Sequence, residues 1–399
     1  MPLIRLDEPV VRPKTPPTGF ALFALGFRPF YLLAALFAAL VIPLWIGMYV
    51  GHLPQPAYIP ALWWHAHEMV FGFGVAIIVG FLFTAGQNWT GLPTPSGPAL
   101  ALIAALWLGG RSAMLFASPV PAAAVDIAFL PVAAIALGRV IWRAKSQRNY
   151  FTVALLSALA VANAIFHFRA LGWLDGAPLA ALHGALALIV MLMTIIAGRI
   201  VPNFTANALR GITQYRHDQL EVSAIGFTGC ALALFVGGAS AGLTATVALI
   251  AALLQGARTW GWNPWATRGT PLLWVLHLSH AWIVAGLVLI ACASLGWVLP
   301  SLAWHAFGMG AMGGLILGMI TRTALGHTGR LLQAGRIETA AYALLLGGAL
   351  IRVFGGLLLP GLTPTVLVLA MLCWSTAFVL YVWKYAPMLI RPRIDGRKG

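Results

Sequence analysis

The sequence predicts an all-α, polytopic membrane bundle of about twelve transmembrane helices, with both termini cytoplasmic. Three observations lead there. Hydrophobic residues make up 61% of the 399 positions and charged residues only 8%, whereas an average soluble domain is roughly half apolar and one quarter charged. The apolar residues lie in long continuous runs rather than in the short alternating segments of a membrane β-barrel. The basic residues sit between those runs, on alternate connections.

A spanning helix needs about 20 apolar residues, and the runs are taken in order. Those at 27–51 and 63–87 follow a basic N-terminal segment with Arg5, Arg12, Lys14 and Arg28, and those at 97–117 and 120–142 lead to Arg139, Arg143, Lys145 and Arg148. Runs 150–172 and 177–199 lead to Arg199, Arg210 and Arg216, and runs 219–239 and 241–258 lead to Arg258 and Arg268. Runs 272–296 and 300–322 lead to Arg322, Arg330 and Arg336; runs 337–357 and 362–385 lead to a basic tail. Of the 24 Lys and Arg, only Arg111, Arg169 and Arg352 fall on the outer half. That bias orients the chain with its termini inside. The expected organisation is a cytoplasmic tail at 1–25, one twelve-helix domain at 26–386 and a basic cytoplasmic tail at 387–399. The N-terminal tail is too long before its first apolar run to read as a secretory signal. The longest connection, 200–218, carries Pro202, Asn203, Asn207 and Arg210.

The composition excludes several classes. The net charge of +15 sets topology, so no nucleic-acid partner is expected. Cys230, Cys292 and Cys373 lie in apolar runs and read as small hydrophobes. There is no CxxCH, Walker loop or GxGxxG before a helix, which leaves phosphoryl transfer and dehydrogenase chemistry unsupported.

Ionisable groups within spans are costly and mark function. Acids are few and histidines number ten. His65 and His67 open the second span, His183 lies in the second turn of the sixth and His305 opens the tenth. At 1.5 Å per residue all four lie within ~10 Å of the outer helix ends, and we group them as a metal or haem site. His277 and His280, an i, i+3 pair, lie ~7–12 Å from the inner end of the ninth span. They form a second site or complete the first. His52 and His167 also suit a solvated interface. Imidazole with few carboxylates suits haem or copper rather than magnesium or calcium. Glu68 is the candidate for proton relay or for orienting a histidine, with Asp126 a weaker one. Arg199 and Arg322 end spans at the inner surface, where they either snorkel or clamp an anion such as a haem propionate. Glycine-rich stretches follow the Trp-His-Ala triplets at Trp64 and Trp304, a hint of internal repetition and of close helix packing.

Four stretches resemble the NnrS family of bacterial membrane proteins: Leu25-Gly26-Phe27-Arg28-Pro29-Phe30, Trp64-His65-Ala66-His67-Glu68-Met69, Gly198-Arg199-Ile200-Val201-Pro202-Asn203-Phe204-Thr205, and Met319 to Arg330. The resemblance implies a haem- and copper-containing protein linked to nitric oxide metabolism and nitrosative stress. The expected cofactors are therefore haem b and copper, in the bacterial inner membrane. The expected partners are membrane lipid, nitric oxide or another diatomic ligand, and quinol or an electron-donor protein. One alternative is an oxidoreductase acting on nitric oxide or quinol, another a protein that only binds nitric oxide. Two further alternatives are a secondary transporter and a haem or copper conduit.

Overall fold

The computed structural model describes residues 18–397. Among these residues, twelve helices are long and apolar enough to span a membrane. They are α1 (Phe27–Tyr49), α2 (Ala61–Thr90), α3 (Gly97–Phe116), α4 (Pro119–Arg143), α5 (Gln147–Ala170), α6 (Pro178–Ala208), α7 (Asp218–Val236), α8 (Ala241–Gly261), α9 (Pro271–Ser294), α10 (Pro300–His327), α11 (Arg336–Leu358) and α12 (Pro360–Ile390). Each lies on one of the twelve apolar runs, and no strand occurs among the described residues. The first 17 residues of the expected N-terminal tail lie outside the described residues.

The most enclosed spans are α2 and α10, followed by α9 and α1. α1 packs against α2 and α12, and α9 against α8 and α10. Glycine permits these approaches. A Cβ at Gly80 would lie 2.8 Å from the Phe30 Cβ, and one at Gly310 would overlap the Trp282 indole.

The motif at Arg28 ties three helices together. Thr84 of α2 accepts a hydrogen bond from the Phe27 amide at 3.0 Å and passes its own to Gly80 O at 2.8 Å. Arg28 donates to Leu389 O at 2.9 Å and Arg391 O at 2.8 Å. These carbonyls end α12, where no further helical amide can reach them.

Several boundaries differ from expectation; α10, for one, runs past Arg322 to His327. α6 does not stop at Arg199 but continues through Pro202 to Ala208. Proline removes the amide that Gly198 O would accept from; Arg216 donates to that oxygen instead, at 3.4 Å. Asn203 and Thr205 reinforce the same turn by bonding back to Arg199 O and Val201 O. The segment expected as a tail from 387 begins as the last turn of α12 and then folds back. Ile394 donates to Thr328 O at 3.2 Å and Arg393 to His327 O at 3.0 Å.

Three spans contain a π-helical segment: Glu68–Gly74 in α2, Ala306–Gly313 in α10 and Ile351–Gly355 in α11. Such widened turns shift the helix face that follows and are common at functional sites. Glycine packing yields the first prediction. Gly310→Ala will destabilise the protein by about 1–3 kcal/mol through overpacking, seen as a lower thermal midpoint in detergent. Gly347→Ala, with no neighbour within 4 Å of its added methyl, will lie within about 0.5 kcal/mol of the unsubstituted protein.

Candidate metal and cofactor site

All three π-helical segments border one cavity of about 350 Å³ in the outer half of the bundle. α2 supplies His65 and Met69, α6 His183, α10 His305 and Met309, α11 Arg352, and α12 Met371. The remaining wall is largely apolar, with Trp45, Trp304 and Trp374. The structure thus brings together three of the four outer histidines that were grouped by depth.

Aromatic contacts orient these rings. His65 stacks on Trp45 with centroids 4.2 Å apart, and His183 on Trp304 at 4.6 Å. His305 Nδ1 lies 2.6 Å from Ser301 O. A carbonyl can only accept, so Nδ1 carries the proton and Nε2 keeps its lone pair. A histidine ligand is typically oriented in this way, by a carbonyl on its other nitrogen. His65 Nδ1 is buried and has no hydrogen-bond partner among the described residues. The His65 and His305 rings are nearly parallel, with centroids 6.3 Å apart. Unpaired imidazole nitrogens with nearby thioethers are donors that suit iron and copper.

His67 is turned away from this cavity. Its Nδ1 lies 3.0 Å from Glu68 Oε1 and its Nε2 3.0 Å from Asn163 Oδ1. The Asn163 amide donates to Asp126 at 2.7 Å, which fixes its oxygen toward His67. Arg111 donates to Glu68 at 2.6 Å and also binds Asp126. His167 Nε2 lies 2.9 Å from Asp126 Oδ2, and its Nδ1 lies 3.1 Å from the Tyr58 hydroxyl. Burial pushes the Tyr58 phenol, in the outer loop, up to about 12, so it stays protonated and donates. Two carboxylates face one guanidinium here, and both ring nitrogens of His67 face oxygen atoms of the same network. Glu68 therefore belongs to a buried ion network rather than to the cavity wall. Ligand atoms of His67, Asp126 and His167 lie within 4.8 Å of one another, a group able to hold a metal ion. As placed, these atoms serve as hydrogen-bonding partners within the network.

His277 and His280 lie apart from the cavity, against α6 and α8. His277 Nε2 is 2.9 Å from Thr205 Oγ1, and His280 Nδ1 is 2.8 Å from Thr259 Oγ1. Each threonine spends its proton on its own helix, on Val201 O and Gln255 O. Each hydroxyl therefore accepts from the imidazole, which fixes the tautomer. The opposite atoms, His277 Nδ1 and His280 Nε2, are buried without partners among the described residues. The pair is thus a separate position and does not complete the outer one.

Neither Arg199 nor Arg322 borders the outer cavity. The Arg322 guanidinium sits 3.8 Å over the Phe204 ring, and that of Arg199 lies 5.8 Å from Phe151. Sequence reasoning passed over Met69, Met309, Met371 and Arg352. Two signals were available. Met69 and Met309 each follow a Trp-His pair with i, i+4 spacing from His65 and His305. Arg352 was one of three arginines on the outer half. The ion network supplies the second prediction. Arg111→Met will leave two buried carboxylates without their guanidinium and cost about 3–5 kcal/mol, measured as a fall in thermal midpoint in detergent.

No curated protein matches the chain. A family model does, over residues 21–393 and thus nearly the whole chain. The match spans all twelve helices and both histidine positions. The chain belongs to the family described as NnrS protein, whose members are membrane proteins related to nitric oxide stress.

Proposed function

We propose that this protein binds haem b and copper in the bacterial inner membrane and acts on nitric oxide, either holding it or turning it over. The supporting observation is the convergence of His65, His183, His305, Met69, Met309 and Met371 on one apolar cavity. His305 is the ligand we assign to haem, because Ser301 O fixes its tautomer and orientation. His65, across the cavity with an unpaired Nδ1, and its neighbour Met69 suit copper. His183 and Met371 complete the soft donor wall. His277 and His280 form a second metal position, held by Thr205 and Thr259.

A ferrous haem with an open position supplies affinity for diatomic ligands, and the polarity of its pocket decides between binding and turnover. The chain's own contribution is a largely apolar chamber with oriented imidazoles. Nitric oxide is small, neutral and soluble in lipid, which suits an apolar lining. Glu68 acts in this reading as a positioning residue: with Arg111 it fixes the turn of α2 that carries His65 and Met69. Turnover requires electrons, from quinol or a donor protein.

A second reading is a secondary transporter or cofactor conduit. It draws on the π-helical interruptions of α2 and α10, which both border the cavity, since interrupted central spans build transporter sites.

The third prediction separates these readings. The purified protein will show a b-type Soret band, with iron and copper on analysis. His305→Ala will remove most of the haem, His65→Ala will lower the copper content, and His52→Ala in the exposed outer loop will leave both unchanged. A colourless protein without iron or copper, from cells supplied with haem, overturns the metal reading and favours transport. With nitric oxide added to the reduced protein, a stable nitrosyl spectrum marks binding; release of nitrous oxide marks turnover.

A further inference from the structure

The three arginines on the outer half have different fates. Arg111 is bound by Glu68 and Asp126. Arg169 donates to Asp175 O at 3.0 Å and Ala177 O at 3.3 Å. Arg352 borders the outer cavity, and no hydrogen bond or ion pair joins it to a described residue. It sits in the π-helical segment Ile351–Gly355. Six residues separate it from the end of α11, a depth of ~9 Å. His65 and His305 lie at a similar depth by the same arithmetic, on helices that begin at Ala61 and Pro300.

A guanidinium beside an apolar chamber is costly unless an anion meets it. Glu68 and Asp126 are engaged with Arg111, so the neighbouring carboxylates leave nothing for Arg352. Its planar fork matches a carboxylate or a similar oxyanion with two parallel hydrogen bonds. We propose that Arg352 is the anion-recognising residue of the outer cavity, and that its ligand is a planar carboxylate-type oxyanion. Two sources share that chemistry: a carboxylate of the bound cofactor, and a free oxyanion of the size of nitrite. The inference rests on reading the cavity as the binding site. It moves the anion clamp from Arg199 and Arg322 to the arginine that faces the histidines.

The test uses the full chain, purified in detergent, as the unsubstituted protein, Arg352→Gln and Arg352→Lys. Two readouts are taken: the rate of haem transfer to excess apomyoglobin, and the shift of thermal midpoint with sodium nitrite against sodium chloride. A cofactor carboxylate predicts haem loss about tenfold faster or more in Arg352→Gln. Arg352→Lys, which keeps the charge and loses the fork, falls between. A free oxyanion predicts nitrite stabilisation that both variants weaken while haem retention stays unchanged. If the unsubstituted protein is colourless, the metal reading fails on its own, and the nitrite arm alone decides the anion site. The proposal is overturned if both variants match the unsubstituted protein in haem loss, where haem is present, and in nitrite response. Arg352 would then simply extend its charge to the outer interface. If Arg352→Gln does not fold, Arg352→Lys carries the same comparison.

Discussion

A bilayer core offers no water to a carbonyl or a charge, and each must find its partner inside the protein. Most of the unusual residues in this chain answer that demand. Arg28 takes the carbonyls that end α12. Arg216 takes the one that Pro202 strands on α6. Thr205 and Thr259 bond to their own helices and thereby set the tautomers of His277 and His280. Glu68, Arg111, Asp126, His67, Asn163 and His167 bond to one another, and Tyr58 joins them through His167. Against this background, some of the groups left over carry information. Among them are the unpaired nitrogens of His65, His277 and His280, and beside them the guanidinium of Arg352 at the cavity wall.

The same constraint explains how the cavity arises within packed helices. Uniform α-helices held close by glycine would fill the centre with side chains. The π-helical segments of α2, α10 and α11 widen the helix there, and they supply Met69, Met309 and Arg352 to the wall. Glycines stand inside or at the end of each segment, so close packing and the widened turn occur together. Gly310 accepts the Trp282 indole on one side of α10, while Met309 faces the chamber on another.

Much of this was legible in the sequence. Long apolar runs and the placement of basic residues located all twelve spans, because bilayer thickness and charge asymmetry act on one dimension of the chain. Depth also came through: His65, His183 and His305, grouped by it, border one cavity. Direction did not. His65 and His67 share a depth, yet two residues of helix separate them by about 200°, and one faces the chamber while the other faces the ion network. Arg199 and Arg322 were considered for a clamp from their places at the inner ends of two spans, and neither borders the outer cavity. Met371 was illegible for a different reason: in a chain this apolar, a thioether without a neighbouring motif looks like any core side chain. Nor did Pro202 end its helix, because the arginine that rescues its turn comes fourteen residues later.

The bond between Arg28 and Leu389 joins residues 361 positions apart, and that distance is also a delay. A ribosome adds on the order of 5–20 residues each second. The first helix therefore enters the membrane tens of seconds before the carbonyls that complete its guanidinium's bonding exist. The packing of α1 against α12 cannot form until α12 arrives. The chamber between α2 and α10 takes its walls from α11 and α12 only then.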